Sequence, residues 1–109
     1  MSEFQRISCE QAQQMMAEKT CQVVDIRDEA SFANGHVTGS QLLNNINLQD
    51  FLLDSDPDAP TLVFCYHGNS SQQAAHFLTE RDFTEVYSID GGFEVWRQLF
   101  PQQISTTNG

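Results

Sequence analysis

The sequence predicts an α/β fold, a mostly parallel sheet with helices on both faces, from three observations. Strand-like and helix-like patterns alternate along the whole chain, the arrangement that sandwiches a parallel sheet between helices. The most apolar run, Thr61-Leu62-Val63-Phe64-Cys65, shows no polar alternation and reads as a central strand buried on both faces. At 109 residues the chain has room for one core, since domains cluster near about 100 to 150 residues. Hydrophobic residues make up 39% and include eight Phe and one Trp, enough to fill that core and too many for a disordered chain.

Taken in order, Ser8 with Gln11 forms a capping-box pattern, and Ala12, Met15 and Met16 give an apolar face to a helix that runs to about Lys19. Val23, Val24 and Ile26 form a short β-branched strand, on which Asp25 and Arg27 share the face opposite Ile26. Asp28 caps a short helix that Gly35 ends, and Leu42 with Leu43 makes another brief strand. Asn47 caps a helix carrying Leu48, Phe51 and Leu52; the turn cluster Asp56 to Pro60 then leads into the central strand. A further helix starts at Ser70 or Ser71, with Ala74 and Ala75 where it can lie close to the sheet. Glu85 to Ser88 reads as a strand, and Asp90 as the cap of a last helix bearing Phe93, Trp96 and Leu99, with Phe93, Trp96 and Phe100 read as core. Residues 1–101 are thus expected to form one domain, and the polar tail 102–109 to fray.

Fifteen Asp plus Glu against five Lys plus Arg leave a net charge of -10, which argues against nucleic-acid binding by phosphate neutralisation and against an anionic membrane surface. No apolar run approaches the ~20 residues of a membrane span, and residues 1–6 lack a basic-then-apolar signal, so a cytoplasmic location is expected. Three cysteines at irregular spacing fit neither a disulfide framework nor a zinc site, leaving at least one free thiol. Cys9 and Cys21 read as small hydrophobes, and Asp50, Asp54, Asp56 and Asp58 as a solvated face lacking the glycine and glutamate of a calcium loop. His36, in the Gly35 to Gly39 turn, reads as a backbone-bonded residue; no metal or organic cofactor is expected.

Cys65 differs from the other two. It ends the central strand and opens the loop Tyr66, His67, Gly68, Asn69, Ser70, Ser71, which runs into a helix. Ligands of parallel sheets sit at the carboxyl ends of the strands, and a thiolate there is stabilised by loop N–H groups and by the positive end of the following helix. Gly68 and Asn69 tolerate the positive φ that turns successive N–H groups toward one point, and Ser70 and Ser71 add hydroxyl donors and a cap. A buried structural cysteine before an ordinary turn is the bland alternative. Asp25 and Arg27 are possible supporting residues, more simply read as an ion pair, and His67 could either tune the thiol or line the mouth.

Three segments together resemble the rhodanese family, and within it the single-domain thiosulfate sulfurtransferases of the GlpE type: Val24 to Asp28 continuing through Ser31, Phe32 and the Gly35 to Gly39 turn; the Cys65 to Ser71 loop; and Asp90 to Phe93 with Trp96. The resemblance implies a five-stranded mostly parallel sheet and a persulfide-forming cysteine at Cys65. It implies that the outer sulfur of thiosulfate passes through that persulfide to cyanide or to a dithiol such as thioredoxin, with release of sulfite. Many members carry Arg at the positions of Tyr66 and Ser70, so backbone donors must carry anion binding here and modest donor affinity is expected. Thr38 stands where the family often has Pro, with an expected effect on local stiffness only.

Other readings of the same loop compete. A cysteine phosphatase or arsenate reductase uses a similar strand, loop and helix, but phosphatases clamp phosphate with Arg six residues after the cysteine, where this chain has Ser71. A non-catalytic binding module would have lost Cys65. A sulfur-relay protein, charged by another protein's persulfide, would use the same thiol and stays open.

Overall fold

The structure is a computed structural model that describes residues 3–107. Its elements are β1 (Gln5–Ile7), α1 (Cys9–Glu18), β2 (Gln22–Asp25), α2 (Glu29–Asn34), β3 (His36–Val37), β4 (Gln41–Leu42), α3 (Leu48–Asp54), β5 (Thr61–Phe64), α4 (Ser70–Thr79), β6 (Val86–Ile89), α5 (Gly92–Leu99), a 3₁₀ turn (Pro101–Gln103) and β7 (Ile104–Ser105). Five strands form one sheet in the order β1-β6-β5-β2-β4, every pair parallel, with the apolar β5 in the middle. β3 and β7 pair antiparallel in a separate ribbon.

Alternation along β5 sends Leu62 and Phe64 to one face and Val63 to the other. Cys9, Ala12, Phe93 and Trp96 from α1 and α5 cover the first face; Phe51, Ala75 and Leu78 from α3 and α4 cover the second. Each fully buried Leu or Phe contributes about 1.5 to 3 kcal/mol. Phe64 also meets Trp96 edge to face at 5.5 Å between ring centroids, the geometry aromatic quadrupoles favour.

The local signals act as expected in most places. The Ser8 hydroxyl accepts from Gln11 N–H at 3.1 Å while the Gln11 side chain accepts from Ser8 N–H at 2.9 Å, so both halves of the capping box form. Asp28 accepts from Ser31 N–H at 3.0 Å and caps α2. Asn47 holds the cap position of α3 but turns its side chain back, donating to Leu42 O at 2.6 Å.

Asp90 is not the cap of α5. Gly91 takes that position with φ +79°, and the Asp90 carboxylate instead accepts from Arg6 Nε at 2.8 Å. β1, β3 and β7 have no counterpart in the sequence pattern, being two or three residues long. Fraying is expected after Pro101 on composition; through Thr107 the chain is instead tied down. Ile104 packs on the first core, Trp96 Nε1–H donates to Gln103 O at 3.2 Å, and Thr107 N–H donates to Ala33 O at 3.1 Å. Thr38 joins the same ribbon, its hydroxyl 2.8 Å from that of Ser105. Among the described residues no helix is long and apolar enough to cross a membrane.

Candidate active site

Cys65 follows β5 directly, and the alternation that buries Phe64 toward α5 turns Cys65 toward α4. Its side chain is 4% exposed. Gly68 N–H donates to Sγ at 3.1 Å and Ser71 N–H at 3.3 Å, and the Ser71 hydroxyl lies 3.2 Å from the same sulfur. Ser71 belongs to the first turn of α4, whose N–H groups have no partner inside the helix and carry its positive dipole end. The sulfur thus occupies an anion site made of backbone donors and one hydroxyl.

Two glycines hold the loop in this shape. Gly68 has φ +90°, and a Cβ there would stand 2.8 Å from Gly91 N and 2.9 Å from Ile89 O, contacts with rigid backbone. Gly92, at φ +56°, passes so close that a Cβ would collide with Cys65 O and stand 2.6 Å from Tyr66 O. That approach lets the first turn of α5 grip the loop from behind, Phe93 N–H donating to Cys65 O at 2.8 Å and Glu94 N–H to Tyr66 O at 3.0 Å. The carbonyls of Cys65 and Tyr66 are drawn to α5 while the N–H groups of Gly68 and Ser71 face the sulfur. Asn69, expected to share the positive φ, is right-handed at φ -94° and takes the cap position of α4 without a side-chain bond; Ser70 begins the helix with its side chain exposed.

Tyr66 and His67 form the exposed rim, their rings 5.9 Å apart. The Tyr66 hydroxyl lies 2.7 Å from Ser31 Oγ, which donates to Asp28 at 2.8 Å, so a chain of hydrogen bonds straps the loop to α2. The Ser31 bonds hold the Asp28 carboxyl below its ordinary pKa. Arg27 and Asp25 are neighbours of the site, joined as a pair: the guanidinium donates to both Asp25 oxygens at 2.7 to 3.0 Å and to Gly35 O at 2.7 Å, and both residues are buried. The Arg27 guanidinium also lies 4.1 Å from the Phe93 ring centroid and 5.1 Å from that of Tyr66, at the floor of a cleft of about 470 Å³ that Ser31, Glu94 and Arg97 also line. A cation so enclosed orders the walls and is spent on its partner. His36 stacks on Phe32 at 3.9 Å with Nδ1 2.7 Å from Phe32 O, a backbone-bonded position.

The sequence reading missed Ser88. This buried β6 serine places its hydroxyl 2.7 Å from that of Ser71, one step behind the sulfur. Its signal was a lone small hydroxyl on a strand otherwise made of Val, Tyr and Ile.

The sequence pattern of the rhodanese-like domain matches residues 8–99. The chain belongs to the rhodanese family. Among its rhodanese relatives, one from Pseudomonas fluorescens (strain SBW25), named thiosulfate sulfurtransferase GlpE, is 53% identical over 99% of this chain and 98% of its own length. Another of that name from Ectopseudomonas mendocina (strain ymp) is 56% identical over 96% of this chain and 95% of its own. Solved rhodanese-like structures share the fold at lower identity. A domain from an Anabaena sp. protein superposes with a TM-score of 0.82 at 16% identity, covering 93% of this chain and 78% of that one. A Staphylococcus aureus protein gives 0.73 at 21%, covering 85% and 91%.

Proposed function

We propose that this rhodanese is a thiosulfate sulfurtransferase that carries sulfur on Cys65. The observation that supports the reading most is the ring of polar groups on one buried sulfur, two donating N–H groups and a hydroxyl at 3.2 Å, at the N-terminus of α4. Such a site favours negative charge on sulfur in a place where few side-chain charges compete, and the relatives named thiosulfate sulfurtransferase match over nearly the whole chain.

In the donor half-reaction the Cys65 thiolate attacks the outer sulfur of thiosulfate. A new S–S bond forms at Cys65, the bond between the two thiosulfate sulfurs breaks, and its electron pair leaves with sulfite. Total charge is conserved, one negative charge on the attacking sulfur reappearing on the outer persulfide sulfur, so the step needs no proton once the thiolate is present. The backbone N–H groups of Gly68 and Ser71 already donate to the first position of that charge, and they do not titrate during the exchange. In the second half-reaction an acceptor thiolate takes the outer sulfur, and Cys65 returns as thiolate. A dithiol protein such as thioredoxin, or cyanide in an assay, meets this need, and the exposed Tyr66 and His67 form the rim it would touch. Cys9, Cys21 and Cys65 are all free thiols, which suits a reducing, cytoplasmic compartment.

Incubation with thiosulfate followed by intact-mass measurement tests the reading. One sulfur atom is gained, is removed by cyanide or a dithiol, and is absent in Cys65→Ser. Sulfite release at an unchanged rate by Cys65→Ser would overturn it, as would turnover of a phosphate ester with no mass gained from thiosulfate.

A further inference from the structure

The hydroxyl of Ser88 has no place in the chemistry so far. It is fully buried on β6, whose register sets Ser88 opposite Val63, two residues before Cys65 and on the same face of the sheet. Its one hydrogen-bond partner among the described residues is the Ser71 hydroxyl at 2.7 Å, and Ser71, also fully buried, lies 3.2 Å from Cys65 Sγ. Three polar atoms therefore stand in line, from the interior to the nucleophile.

The direction of that line follows from counting protons. A buried hydroxyl hydrogen needs an acceptor, and Ser71 Oγ is the one within reach of Ser88. Ser88 then donates to Ser71, and Ser71, its lone pair engaged, directs its own hydrogen to the sulfur. With Cys65 as a thiol the line can also run the other way, Cys65 S–H to Ser71 to Ser88. With the sulfur as a thiolate one orientation gives every hydrogen an acceptor, and it is the one that aims a donor at Cys65. Donors in series polarise one another, so the second hydroxyl strengthens the bond the first makes to an anionic sulfur.

We propose that Ser88 is a positioning residue that acts through Ser71, locking its hydroxyl toward Cys65 and so raising the share of Cys65 present as thiolate. The proposal rests on Cys65 being the nucleophile. It extends the site inward by one residue that touches neither substrate nor sulfur. The charged and titratable groups around the loop are Tyr66 and His67 within it, Asp28 tied to Tyr66 through Ser31, the Asp25–Arg27 pair beside it, Asp90 and Glu94 at the start of α5, and Arg97 along the cleft. All are retained in the variants below, so a change in pH profile reports the hydroxyls.

The test is the rate at which iodoacetamide alkylates Cys65 between pH 5 and 10, read by mass on the peptide that contains it. In Ser88→Ala the rate below neutral pH falls about threefold to tenfold and converges on the unmodified protein at high pH. Ser88→Thr, which keeps the hydroxyl, restores the profile. In a Ser71→Ala background, Ser88→Ala adds nothing, because the link is already cut. An unchanged profile in folded Ser88→Ala overturns the proposal, and so does a loss of equal factor at every pH or one that persists without the Ser71 hydroxyl. If Ser88→Ala does not fold, Ser88→Cys, close in shape and a weak donor, is read by the same criteria. Alkylation uses no thiosulfate, so failure here leaves the sulfur-transfer reading to be judged by Cys65→Ser alone.

Discussion

Replacing Gly92 by alanine tests whether α5 holds the Cys65 loop, and Gly39 supplies the control. Both glycines have positive φ, +56° and +91°, but a Cβ on Gly39 meets nothing within 4 Å whereas one on Gly92 collides with Cys65 O and Tyr66 O. The left-handed backbone costs an alanine about 1 to 2 kcal/mol at either position, and the stiffer unfolded chain benefits both equally. Gly92→Ala must also push α5 off the loop, releasing the Phe93 and Glu94 N–H bonds to Cys65 O and Tyr66 O at about 1 kcal/mol each. Gly92→Ala is therefore expected to lose about 3 to 4 kcal/mol and Gly39→Ala about 1 to 2. At about 4 °C per kcal/mol for a chain of this size, the melting temperatures separate by about 8 °C. Urea unfolding measures the difference, and thiosulfate labelling of Cys65 should fail in Gly92→Ala while surviving in Gly39→Ala. Equal losses within about 0.5 kcal/mol would refute the clamp, as would a destabilised Gly92→Ala that still charges normally.

Two further outcomes follow from other contacts. Ending the chain after Pro101 removes β7 and the Gln103 carbonyl, leaving the Trp96 N–H without its partner and β3 without its pair; a loss of about 2 kcal/mol or more and a shifted Trp96 emission are expected, and an unaltered melting curve would show the ribbon to be idle. Burial, with the carboxylates of Glu10 and Asp90, pushes the Cys9 thiol up to about 11, so its contribution to stability is complete below pH 9 and is lost as pH rises toward 11. The unfolding free energy of the unmodified protein should fall relative to that of Cys9→Ala across this range; parallel pH dependences would contradict it.

The parts of the site legible in the sequence were those built by neighbours along the chain. A helix following a strand-end cysteine puts Ser71 N–H at the sulfur, and Gly68 supplies the positive φ at the bend, both within six residues. The Asp25–Arg27 pair was likewise local, two residues apart on one strand end. What could not be read was set by partners distant in sequence. β1 is three residues long and exists because the edge of β6 accepts it; β7 exists because β3 does. Asp90 has the chemistry of a cap, yet two left-handed glycines delay the helix and Arg6, from the other end of the chain, takes the carboxylate. Ser88 was invisible for the same reason, since its meaning depends on a hydroxyl seventeen residues earlier.

The dependence of the Cys65 loop on α5 has a consequence for the newly made chain. Cys65 leaves the ribosome well before Gly92, Phe93 and Glu94, and until that segment emerges and docks nothing anchors the carbonyls of Cys65 and Tyr66. During that interval Cys65 sits at the end of an unfinished sheet, without the loop that later encloses it. On the proposed sulfur-transfer function, loading of Cys65 waits for the last helix, so an incomplete protein would carry no sulfur it could give to the wrong acceptor.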